Sequence, residues 1–164
     1  MAKIETILEM IKSARGLTLY YLSLLKDVDK EKVFVCEGKE LNSVHWIVCH
    51  LCWTDNFLLL KSSSTKIDLA KDWFEEYGFG SDPKAIITKP NYDEALELLN
   101  TNRAQCIDYL STLSDEELES DNLLDMNMGG SKALKNILYH SIRHEGTHAG
   151  HLGWLCKLHG IKTV

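Results

Sequence analysis

The chain has 164 residues, 45% of them hydrophobic and 26% charged, the proportions of one soluble globular domain spanning residues 1–164. Its formal net charge is -6. No basic stripe is present to neutralise phosphates or to hold an anionic membrane surface, so neither nucleic acid nor membrane is an expected partner.

The N-terminal Met1-Ala2-Lys3-Ile4-Glu5 alternates charged and apolar residues and lacks the apolar core of a signal peptide, and no apolar run approaches bilayer length. The five cysteines are odd in number, scattered and set in apolar helical patterns. They are expected to be reduced, buried thiols of a cytoplasmic protein. Cys49 and Cys52 have a C-x-x-C spacing, but sit mid-helix without the second pair that a zinc ribbon needs.

The first predicted helix runs from about Ala2 to Lys26, with Ile4, Ile7, Leu8, Ile11, Ala14, Thr18, Leu22 and Leu25 on its inner side. A charged linker leads to a short extended piece, Val33 to Cys36, ending at Glu37-Gly38. The second helix starts at Asn42 or Ser43, either a good N-cap, and stops at the serine cluster Ser62-Ser63-Ser64. It is apolar nearly all round, so it is buried on more than one side, and a homodimer interface is one way to bury the second side. On this helix His50 shares the face of Trp46, Cys49, Trp53 and Phe57, while His45 points well away.

From Ser62 to Pro90 runs a long connection with Trp73, Phe74, Tyr77 and Phe79 in it; connections with their own aromatics tend to be functional, and a partly ordered lid is expected. The third helix starts at Asn91, with Asn91 and Glu94 as a capping box and Tyr92, Leu96, Leu99, Cys106, Leu110 and Leu113 as its buried stripe. Ser114 and Glu117 open a short acidic turn. After Gly129-Gly130-Ser131 comes the last helix, from about Lys132 to His159, stopped by Gly160. Gly146, Gly150 and Gly153 stripe it, and a neighbouring backbone is expected to approach there. Four long helices without a strand pattern make the expected fold all-α, a four-helix bundle with a long connection between helices 2 and 3.

The last helix carries the chemistry. At about 100° per residue, His140, His144, His148 and His151 fall within an arc of about 80° that also holds Ile137, Leu155 and Leu158. The imidazoles therefore point where the apolar residues point. Two neutral imidazoles four residues apart can grip one divalent cation. His144 to His148 also matches H-E-x-x-H, in which zinc peptidases use the glutamate as general base. That reading fails, because no Asp or Glu follows Glu145, and His151 and Trp154 stand where the extended pattern needs Gly and His. A third ligand must come from upstream, and His50 is the histidine on the inner face of another helix. A lone core histidine is commonly just a hydrogen-bonded one, yet four inward imidazoles are hard to satisfy without an ion. Spacing alone leaves the pair open: His140 with His144, or His148 with His151, would also serve.

Trp46-Ile47-Val48-Cys49-His50-Leu51 resembles the W-h-x-x-H-h element of the DinB/YfiT-like superfamily of metalloenzymes, and His144 to Leu152 resembles its H-E-x-x-H-x-G-Q-h element. The likeness extends over the whole chain. It implies that His50, His144 and His148 coordinate one divalent metal, zinc or nickel. His151 stands where the family has Gln, which makes it a candidate fourth ligand, outer donor or proton shuttle; Thr54 and Glu145 are lesser outer candidates.

The expected function is a metal-dependent enzyme acting on a small-molecule substrate, either a transferase using a low-molecular-weight thiol or a hydrolase in which Glu145 or His151 moves the proton. The alternatives are a non-catalytic dimeric bundle with a structural or incidental metal, and a metal or stress sensor.

Overall fold

The computed structural model describes residues 3–163. Helix α1 spans Lys3–Leu24, α2 Val44–Thr54, α3 Tyr92–Leu110, the short α4 Asp115–Glu119, and α5 Leu134–Leu158. The four long rods are those expected, and the all-α architecture stands. Two additions appear. The extended piece pairs with the residues after it: β1 (Val35–Cys36) and β2 (Lys39–Glu40) form an antiparallel hairpin. Its two-residue turn puts Glu37 at φ 50° and Gly38 at φ 77°, the left-handed pair that matches strand twist. The second addition is a change of helix type. Ser43 caps α2 as expected, accepting from the Trp46 N–H, but from Asp55 to Lys61 the rod continues as a π-helix. Ser62 and Ser63 hydroxyls donate to the Leu58 and Leu59 carbonyls at 2.6 Å, which competes with the backbone ladder and closes the rod.

Asn91 caps α3 through the Asp93 and Glu94 N–H groups, and Ser114 with Glu117 forms a full capping box at α4. At the end of α5, Gly160 adopts φ 75°, with Gly160 N–H donating to Lys157 O and Ile161 N–H to Cys156 O, the Schellman pattern. The glycine stripe does not do what was expected of it. A Cβ at Gly146 or Gly150 would meet nothing within 4 Å, and at Gly153 it would meet the Tyr21 ring at 3.2 Å rather than a backbone.

The core falls into two apolar clusters. One gathers Leu22, Leu25, Ile47, Val48, Leu51, Trp53, Phe74, Tyr77, Leu99, Leu152 and Leu155. The other gathers Ile4, Ile7, Ile11, Leu59, Leu60, Cys106, Leu110, Leu134 and Leu138. Between them in chain order on each of four elements lies one buried charge: Arg15, Asp55, Arg103 and Glu145. Arg15 bonds both Asp55 and Glu145, and so does Arg103. Two guanidinium groups thus meet two carboxylates in a neutral layer that ties α1, the π-helix, α3 and α5 together. The thiols also differ in part from expectation: Cys49, Cys52, Cys106 and Cys156 are buried, whereas Cys36 on the hairpin is exposed. No described helix is long and apolar enough to cross a membrane.

Candidate metal centre

His50 comes from the middle of α2, His144 and His148 from successive turns of α5. Their ring centroids are 5.0 Å (His50–His144), 4.8 Å (His50–His148) and 4.6 Å (His144–His148) apart. One nitrogen from each lies within 4.8 Å of the others, a group that could hold a metal ion. Of the pairings that spacing left open, the structure selects this one. His140 is half-buried at the edge, its ring 5.9 Å from that of His144.

His50 is the most constrained of the three. Its Nδ1–H donates to the Tyr77 carbonyl at 2.6 Å, and that bond leaves Nε2 as a bare lone pair. Nε2 faces His144 Nε2 at 3.1 Å, close to the roughly 3.4 Å expected of two nitrogens sharing a tetrahedral ion at about 2.1 Å. The ring is stacked between Trp46 at 4.7 Å and Trp53 at 5.8 Å, with interplanar angles of 14° and 20°. Phe79 packs edge-on against Trp53 and approaches His50 and His144 at 6.4 and 6.1 Å. The long second connection therefore supplies both the carbonyl that orients the His50 ring and the Phe79 ring beside it. Gly78 makes this possible, because even a Cβ there would press on the Trp53 ring at 3.2 Å.

Burial holds all three imidazoles neutral. It lowers His50 despite the Tyr77 carbonyl. It brings His144 down to about 4, with His50 and His140 adding to the effect, and His148 down to about 2, with His50 and His144 adding. A neutral imidazole is the form that ligates a metal. His144 Nδ1 is one of six buried side-chain polar atoms without a hydrogen-bond partner among the described residues, with His45 Nε2, Trp46 Nε1, Ser81 Oγ, Asn102 Nδ2 and His159 Nε2. Three neutral imidazole nitrogens are a donor set that could hold a divalent first-row transition ion.

The remaining predicted residues separate. Thr54 donates to the His50 carbonyl at 2.8 Å and so supports the ligand's own helix turn. His151 is exposed rather than inward, with Nδ1 3.4 Å from His148 Nδ1. Glu145 stands apart from the imidazoles. Its carboxylate is 1% exposed and is held by Arg15 and Arg103. Burial raises its pKa, but the two arginines outweigh that and keep it below the usual range. Both of its carboxylate oxygens are taken by arginines, Oε1 by Arg15 and Oε2 by Arg103. His45 points away as expected and bonds Glu31, with its ring edge-on to Tyr92. Cys49 is buried and its thiol pushed up to about 12 by burial, so it stays protonated beside the site.

Residues 13–152 match the model of the DinB superfamily, and the chain belongs to that superfamily. Among curated proteins none matches the chain.

Proposed function

We propose that the protein is a divalent-metal-dependent enzyme acting on a small molecule, with His50, His144 and His148 holding one zinc or nickel ion. The observation that carries this reading is the His50 ring. Its Nδ1–H is spent on the Tyr77 carbonyl, so its Nε2 lone pair is aimed at two further neutral imidazoles. Bound there with positions open, the ion would supply Lewis acidity, lowering the pKa of a water or of a low-molecular-weight thiol. The chain's own residues do the rest. Trp46 and Trp53 fix the plane of the His50 ring, and Phe79 limits water on one side. His151, next to His148 and exposed, is the group able to carry a proton between site and solvent. A transferase with a thiol cofactor and a hydrolase share this arrangement.

The test is His148→Ala against the unaltered protein. Loss of a ligand should cost more than the roughly 10–100-fold in metal affinity typical of an outer partner, while the circular-dichroism spectrum stays helical. A panel of ester hydrolyses and thiol conjugations should show turnover that follows metal content. If metal is bound but no reaction depends on it, the enzyme reading fails; if chelation unfolds the chain, the ion is structural.

A further inference from the structure

A concavity lies one imidazole away from the three histidines. It has a volume of about 480 Å³ and is enclosed by Ile47 of α2, by His151, Trp154 and Leu158 of α5, and by Leu41 and Asn42 after the hairpin. Small-molecule sites have this size and this make-up, mostly apolar walls with a few placed polar groups. Trp154 is 64% exposed and Leu158 43%, large apolar side chains that helix packing does not bury. His151 lines this cavity and meets the histidine group only at its edge: its Nδ1 faces His148, so Nε2 is the nitrogen left for a ligand.

Charge narrows the occupant. Among the described residues no lysine or arginine lines the cavity, and the one carboxylate, Glu40, is paired with Lys84 at 3.0 Å. The nearest cation, Lys157, is not among the lining residues and is engaged on the Trp154 ring, its Nζ 5.1 Å from the centroid, so an anionic body inside would be desolvated without a lining partner, which is costly.

We infer that this cavity binds the uncharged apolar body, aryl or branched alkyl, of a small molecule whose polar end hydrogen-bonds His151. The inference rests on the reading of the histidine group as the reacting centre, since it makes this body part of the substrate. A second copy of the chain seated on Trp154 is the competing occupant. It is the weaker one, because the walls come from three separate elements and form a hollow rather than a ridge.

The probe is benzyl alcohol, titrated into the full chain with and without Co(II) and followed by NMR at the Trp154 indole N–H and the His151 ring. Saturable shifts at both residues are expected, with a Kd on the order of 1 mM, and benzoate should bind at least about tenfold more weakly. Leu158→Lys, at a half-exposed helix end, should abolish the shifts while retaining Co(II) binding. Absence of saturation, equal binding of benzoate, or shifts unaffected by Leu158→Lys would overturn the inference. So would a dimer that dissociates in Leu158→Lys and covers Trp154 in the unaltered chain. Co(II) binding without benzyl alcohol binding sinks the cavity alone; benzyl alcohol binding without Co(II) binding sinks the metal reading and leaves the cavity as a binding site.

Discussion

Glu145 and His144 are neighbours in sequence and belong to different chemistries. His144 turns toward the His50 and Phe79 rings, while Glu145 turns into the arginine layer. Glu145→Gln should therefore cost stability, about 3–5 kcal/mol for breaking a buried charge set, and leave metal affinity within a few-fold. Urea denaturation and a metal titration check this; unchanged stability with lost turnover would restore Glu145 as a base. The histidines carry a second expectation. In the metal-free protein the folded pKa of His144 is lowered to about 4 from the ordinary 6.5. The unfolded chain therefore binds a proton that the folded chain refuses. Stability should be level above pH 6.5 and fall as pH drops from 6.5 towards 5, above the carboxylate range, with His50 and His148 adding in the same direction. Denaturation midpoints in chelator across that range measure it, and a rise on acidification would contradict the depressed values.

At the level of elements, helix periodicity made the four rods legible, and Ser43, Asn91 and Ser114 cap by local rules, although the Asn91–Glu94 box forms only its Asn91 half and α5 starts after Ala133 without a side-chain cap. The π-helix was not legible, since it depends on what Asp55 must reach in α1 and α3 rather than on its own neighbours. A signal for the ionic layer was nevertheless present. Arg15 falls on the stripe Ile11–Arg15–Thr18–Leu22, and Arg103 on Leu99–Arg103–Cys106–Leu110, positions where a charge must be buried. Glycines in α5 give the prediction at this scale. Gly146→Ala and Gly150→Ala face open space and should each stabilise by about 0.5–1 kcal/mol. Gly153→Ala, pressed on the Tyr21 ring, should fall short of that gain. Thermal melts of the three variants decide it; equal gains would mean that Tyr21 does not constrain α5.

For the molecule as a whole, the three-histidine group was legible from two short motifs, and the bundle that brings α2 and α5 together followed from helix count and loop length. What orients them was not legible. The Tyr77 carbonyl is a backbone atom 27 residues from His50, and no side-chain pattern announces it. The exposure of His151 likewise depends on how α5 packs, not on its place in the helical arc. The fold brings an ionic layer, two apolar clusters and an aromatic cover to bear on one nitrogen group, and the claim on which the rest depends is that this group binds an ion. X-ray absorption of the zinc-loaded protein, prepared free of small thiols, tests it most directly. The account predicts three imidazole nitrogens at about 2.0–2.1 Å with one or two oxygen neighbours and no sulfur. A shell containing sulfur at about 2.3 Å, or fewer than three imidazoles, would contradict it.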